Sequence, residues 1–275
     1  VSNPLEKYYR QPKVYLSLPS KGKYYPNGSI DGEPLNLPVF GMSAMDEIIF
    51  KTPDALFTGE SVASCIRSCI PGIKDPWSMP QIDLDSALIA IRVATYGQYM
   101  DSEYSCKKCK AENTVQLDLS ATLDYFSQLK FADTIDMYPL TVIIRPFTYK
   151  EQTELSIQQY ELRKILLQTV EAEKDKEAKN ALLNEFYGKL NKYKAEAFKK
   201  QIVEVQADDM RVESKEHINE WINNSDKGFF DKLQKHVEDQ NKIWRIQPQK
   251  SACTECGEEN TVNFNLDNSD FFAIK

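Results

Sequence analysis

Four cysteines, arranged as two pairs, are the residues in this chain best suited to chemistry. Cys106-Lys-Lys-Cys109-Lys-Ala-Glu-Asn-Thr-Val115 and Cys253-Thr-Glu-Cys256-Gly-Glu-Glu-Asn-Thr-Val262 are near copies of one another, far apart in sequence. A Cys-x-x-Cys turn lets two thiolates close on one metal ion, and a tetrahedral Zn²⁺ takes four ligands at about 2.3 Å, so two such turns complete a Cys₄ set. The repeat predicts that Cys106, Cys109, Cys253 and Cys256 meet around one ion. Four sulfurs leave no position for water or substrate, which marks a structural site and favours zinc over iron. The competing reading is a disulfide or free thiols. The opening Val-Ser-Asn-Pro-Leu-Glu is polar and has no secretory-signal pattern, so a reducing compartment is expected and disulfides are disfavoured.

Little else in the chain suggests catalysis. Cys65 and Cys69 lie four apart in the apolar run Val62-Ala-Ser-Cys-Ile-Arg-Ser-Cys-Ile70 and read as core residues on one helix face. His217 and His236 are the only histidines, both in charged, helix-like surroundings without a neighbouring nucleophile. There is no glycine-rich phosphate loop, nucleophile elbow or H-E-x-x-H pattern. Asp83 and Asp85 are close enough in sequence to raise carboxylate chemistry, but Asp83 is explained as the cap of a helix over 84–96. No catalytic residue and no cofactor other than structural Zn²⁺ is predicted.

The elements that must position the cysteines give an α+β chain, mainly helical. After each pair the apolar residues alternate, as Val115, Leu117, Leu119 and as Val262, Phe264, Leu266, which reads as a strand leaving each turn. Two turn-and-strand units sharing a metal make a Cys₄ zinc ribbon built from distant knuckles. Residues 1–41 read as an extended N-terminal arm or hairpin, with turns at Pro19–Gly22, Asn27-Gly28 and Asp31-Gly32. Residues 42–147 read as a helical core carrying the first ribbon half and the strand Leu140–Ile144. Within it Ser43 caps one helix, Thr52-Pro53 opens a short one ending at Gly59, and Pro71-Gly72 stops the cysteine-bearing one. Residues 148–241 read as an inserted helical arm, opened by the capping box Thr148-Tyr-Lys-Glu151. Its first helix has the stripe Leu155, Leu162, Ile165, Leu166, and its second runs from Leu182 through Val205; a charged bend at 171–179 joins them as an antiparallel hairpin. Residues 242–275 hold the second ribbon half, entered by a strand over Ile243-Trp-Arg-Ile246.

The formal charge of −7 argues against broad nucleic-acid binding, which needs clustered Lys and Arg. No apolar run reaches the 18 or so residues that would cross a bilayer, so no membrane partner is predicted. Tyr8, Tyr9, Tyr15, Tyr24 and Tyr25 make the N-terminal region aromatic, a composition that suits a protein interface. The alternative function is a zinc-ribbon adaptor associated with nucleic acid or transcription, for which Lys107, Lys108 and Lys110 on the first knuckle speak. Glu255, Glu258 and Glu259 on the second knuckle speak against it.

Leu18-Pro-Ser-Lys-Gly-Lys-Tyr-Tyr-Pro26, Met42-Ser-Ala-Met-Asp-Glu47, Pro53-Asp-Ala-Leu-Phe-Thr-Gly59, the run from Leu88 ending Ala-Thr-Tyr-Gly97 and the paired Cys-x-x-Cys together resemble the T4-type phage baseplate hub family. The resemblance is closest over the first 120 or so residues and looser beyond them. It implies a non-enzymatic structural or assembly protein of a contractile-tail baseplate hub, with other hub components and the tape-measure protein as partners. It also implies a location in the host cytoplasm during assembly, or in the tail baseplate of the virion. It implies no catalytic residues.

Overall fold

A computed structural model describes residues 3–50, 52, 57–172, 175–207 and 209–264. The helix start expected at Pro53, the alternating Leu266 and the middle of the 171–179 bend lie outside the described residues. The chain divides into two compact units, 1–130 with 244–275, and 131–243. The architecture is α+β.

Unit 1 is organised around one apolar helix. Strand β1 (Pro12–Leu16) pairs antiparallel with β2 (Leu37–Phe40), burying Leu16, Leu37 and Val39. Helices α1 (Ala44–Phe50) and α2 (Glu60–Cys69) follow, then α3 (Gln81–Tyr96). Ser43 caps α1, its Oγ accepting from the Asp46 N–H at 3.2 Å while the Asp46 carboxylate accepts from the Ser43 N–H at 2.7 Å. Cys65 and Cys69 are buried in α2, as their spacing predicts. Helix α3 is buried almost all round, through Ile82, Leu84, Leu88, Ile89 and Ile91; a helix apolar on every side belongs at a centre. It packs against β1, β2, α2 and α4 (Leu119–Gln128).

Asp83 is not the cap that its position suggests. Helix α3 starts earlier, at Gln81 behind Pro80, and the Asp83 carboxylate is fully buried. It accepts from the Ser20 backbone N–H at 2.8 Å and from Ser20 Oγ at 2.5 Å, tying the 18–25 loop to the core. Burial raises Asp83 to about 6 although the Ser20 hydrogen bonds pull the other way. The same cluster raises Tyr25, through burial and the adjacent Asp83 charge.

Unit 2 is a four-stranded antiparallel sheet, in the order β5 (Thr134–Met137), β6 (Leu140–Ile144), β7 (Ile202–Ala207), β8 (Met210–Val212). Between the neighbouring strands β6 and β7 the chain makes a helical hairpin, α5 (Tyr149–Ala172) and α6 (Lys176–Gln201). The capping box forms: the Glu151 N–H donates to Thr148 Oγ1 at 3.2 Å and the Thr148 N–H to Glu151 Oε2 at 3.0 Å. Arg145 grips the same carboxylate at 2.6 and 2.7 Å. Lys200 Nζ lies 3.9 Å from Glu154, placing the end of α6 beside the start of α5, so the two helices run antiparallel. Leu155, Leu162 and Leu166 are half-buried, but Ile165 is exposed.

The expected second helix stops early, because Ile202, Val203 and Val205 enter the sheet as β7. Their β-branched side chains suit a pleated surface, and the sheet supplies hydrogen bonds that local helical spacing does not foretell. Helices α7 (Lys215–Asn224) and α8 (Lys227–Ile243) each carry apolar residues at i and i+4, Ile218 with Ile222 and Leu233 with Val237. These meet Ile135, Met137, Val142, Ile144, Ile202 and Val205 of the sheet in one core. Among the described residues no helix is long and apolar enough to cross a membrane.

Candidate metal centre

The first knuckle is held between two helices without slack. Gly97 ends α3, β3 (Tyr99–Ser105) follows at once, the Cys106–Cys109 turn reverses the chain, and β4 (Glu112–Asp118) runs straight into α4. Asp118 caps α4, its side chain accepting from the Ala121 N–H at 3.0 Å and from Gln98 Nε2 at 3.0 Å. The Leu119 N–H donates to the Gln98 carbonyl at 3.0 Å and closes the base of the hairpin.

The second knuckle sits on a smaller hairpin, β9 (Gln249–Ala252) with β10 (Glu259–Val262). The strand expected over 243–246 is not formed, since α8 runs to Ile243 and β9 begins only at Gln249. Trp244 and Ile246 are instead buried anchors. The Trp244 ring lies 6.2 Å from that of Phe126 on α4.

The two turns share one backbone design. In the first, the Cys106 N–H donates to Ala111 O at 2.9 Å and the Lys110 N–H to Cys106 O at 3.0 Å; in the second, the Cys253 N–H donates to Glu258 O at 2.9 Å and the Gly257 N–H to Cys253 O at 2.9 Å. Lys110 and Gly257 occupy the same left-handed position, with φ of 64° and 73°. Glycine reaches that region freely, whereas lysine is strained there by about 1 kcal/mol.

The structure brings all four predicted cysteines together, with every Sγ within 4.8 Å of the others. Sγ of Cys106 lies 3.8 Å from that of Cys256, and Sγ of Cys109 lies 3.5 Å from that of Cys253. Ligands at 2.3 Å on a tetrahedron are about 3.8 Å apart, so the cage fits an ion of that size. Cys106 and Cys253 are buried, while Cys109 and Cys256 are exposed. The N–H of Cys109, then that of Lys108, aim at the Cys106 sulfur and hold it down at about 6. The N–H of Cys256, then that of Glu255, lower Cys253 in the same way. Backbone donors that favour thiolate also favour metal, because the thiolate is the ligand.

The residues that sequence reasoning missed are Asn113 and Asn260, both buried. Asn113 Oδ1 accepts from the Thr254 N–H at 2.9 Å, and its Nδ2 donates to Cys253 Sγ at 3.4 Å. Asn260 Oδ1 accepts from the Lys107 N–H at 3.0 Å, and its Nδ2 donates to Cys106 Sγ at 3.5 Å. The bonds are crossed, each asparagine serving the opposite knuckle. Their signal lies in the duplicated Glu-Asn-Thr-Val, a pattern that a strand explains equally well.

Other candidates are dispersed. Asp83 and Asp85 are two apart on α3, a spacing that does not share a helix face, so they form no dyad. Asp83 is committed to Ser20, and Gln81 Nε2 donates to Asp85 at 3.4 Å. His236 Nε2 lies 2.8 Å from the Ala132 carbonyl. Lys108, one of the three knuckle lysines, pairs with Glu258 of the other knuckle at 3.2 Å, so the basic turn faces an acidic one.

A buried apolar helix that runs into one cysteine-tipped hairpin, with a second such hairpin closed against the first, defines a scaffold with a four-thiol centre that could bind a metal ion. Comparison with known families places that scaffold: the chain belongs to the T4 bacteriophage base plate protein family, whose model matches residues 42–273. Comparison with curated proteins and with solved structures finds no match. Membership of a baseplate family makes the chain a phage baseplate protein with other tail proteins as its partners.

Proposed function

We propose that the protein is a non-enzymatic structural or assembly component of the baseplate hub of a contractile tail, clasped by structural Zn²⁺ on Cys106, Cys109, Cys253 and Cys256. The observation that carries this reading is the baseplate family match over residues 42–273. The four-sulfur cage supports it, since four thiolates close the coordination shell and leave no reactive position. Zinc would supply folding free energy at this site, fixing the two hairpins as one docking platform. Hub subunits and the tape-measure protein are the proposed partners, met in the host cytoplasm during assembly. The exposed Tyr8, Tyr9 and Tyr15 offer aromatic contact area of the kind interfaces use.

The test is affinity recovery of tagged protein from phage-infected cells, with co-purifying proteins identified by mass spectrometry and compared with the contents of mature particles. Recovery with hub and tape-measure proteins is expected, and presence in mature particles then separates subunit from assembly factor. Recovery with polymerase or nucleic acid and no tail protein would overturn the reading.

A further inference from the structure

Every functional atom of the two buried asparagines is engaged. Nδ2 of Asn113 donates to the Ala111 carbonyl of its own turn at 2.9 Å as well as to the opposite sulfur, and Nδ2 of Asn260 does the same with the Glu258 carbonyl at 2.9 Å. Each Oδ1 takes the N–H of the residue that follows the first cysteine of the other knuckle, Thr254 or Lys107. Asn113 also accepts from Thr254 Oγ1 at 3.1 Å. The carboxamide is thus a plug, and a sulfur beside a free backbone N–H is its socket. Each half of the repeat, Cys-x-x-Cys-x-x-x-Asn, carries one plug and one socket. A local structural role for the asparagines would be served within their own turns and would not require the crossed bonds.

We propose that Asn113 and Asn260 are positioning residues for the metal, each locking the opposite knuckle so that the four sulfurs stand at ligand spacing. The proposal rests on the zinc-clasp reading above and deepens it. The Nδ2–H bonds withdraw charge from the sulfurs of Cys106 and Cys253, and the Oδ1 bonds set the angle at which each turn presents its cysteines. Partners of this kind outside the ligand shell typically change metal affinity by about 10- to 100-fold. The crossed arrangement makes the two positions equivalent, although their surroundings differ in charge.

The test uses the full chain and compares Asn113→Ala, Asn260→Ala, Asn113→Asp and Asn260→Asp for the rate of zinc transfer to the chelator 4-(2-pyridylazo)resorcinol. The alanine variants are expected to release zinc about 10- to 100-fold faster. The aspartates are expected to be faster still, because they keep size and the Oδ1 acceptor but turn a carboxylate toward a sulfur. The pH at which half the zinc is lost should rise in the same order. Aspartate variants that hold zinc as the natural protein does would reduce the asparagines to packing and overturn the proposal. Should an aspartate variant not fold, Asn113→Ser and Asn260→Ser replace it, with release between those of the natural and alanine proteins expected and natural release contradicting the proposal. A natural protein that binds no zinc would overturn the clasp reading itself, whereas one that binds zinc while the variants are indifferent overturns only this proposal.

Discussion

The core of unit 2 and the second hairpin of unit 1 are held by different means. In unit 2, Ile135, Met137, Val142, Ile144, Ile202 and Val205 meet Ile218, Ile222, Leu233 and Val237 across a sheet and two helices. Such a core can hold register by burial alone, because slipping one residue would turn each strand's apolar set outward. The hairpin β9–β10 has four-residue strands, and on its inner face Ser251 stands opposite Asn260 where a core would offer large side chains. A lone two-stranded hairpin is marginal in water. It is held by Trp244, Ile246, Val262 and Phe264, by the Tyr104 hydroxyl 3.0 Å from Ser251 Oγ, and by the thiol cage with its crossed asparagines. The difference teaches where metal matters: unit 2 should be indifferent to it, and the hairpins of unit 1 should depend on it.

Cys109→Ser combined with Cys256→Ser, or chelation of the natural protein, breaks this comparison most severely. A structural zinc supplies on the order of 10 kcal/mol. Amides of residues 249–262 are expected to lose hydrogen-exchange protection while those of β6 and β7 keep theirs; equal loss in both regions would show that the units do not differ in this way. Ile144→Ala is the converse experiment. Removing a fully buried isoleucine should cost unit 2 about 2–5 kcal/mol, read by denaturant unfolding, with zinc content unchanged.

Smaller effects sharpen the account of unit 1. Asp83 has a folded pKa of about 6, above the ordinary 3.8. A raised carboxyl stabilises the fold fully below the unfolded value and loses that contribution as pH rises through the folded one. Asp83→Asn keeps the shape and never ionises, so the natural protein should lose on the order of 1–3 kcal/mol relative to the variant as pH rises from about 4 to about 7. Thiol protonation acts on both proteins alike, so the difference in their unfolding curves isolates Asp83; parallel curves would contradict the assignment. Lys110→Gly should have the smallest effect, a gain of about 1 kcal/mol from relieving the left-handed turn that Gly257 already occupies without strain. A loss in thermal unfolding would mean that the Lys110 side chain contributes more than its backbone costs.

The thiol centre was legible because a duplicated Cys-x-x-Cys states both ligand type and spacing, and only the distance between halves had to be inferred. Its asparagines were hidden in plain repetition, since a strand explains Asn-Thr-Val as well as a hydrogen bond to sulfur does. The Thr148–Glu151 box was legible for the opposite reason, its partners being three residues apart. Asp83 misled because the residue it serves, Ser20, lies 63 positions away. Ile202–Ala207 misled because its pairing with β6 is bridged by a whole helical hairpin, and local spacing carries no trace of a neighbour that distant.

Native mass spectrometry of the purified chain, before and after denaturation, decides whether the four thiols hold a metal ion. One zinc ion per folded chain is expected, bound to four thiols that resist alkylation until the metal is removed. A folded chain without metal, whose four cysteines alkylate freely while β9 and β10 remain protected from exchange, would contradict it.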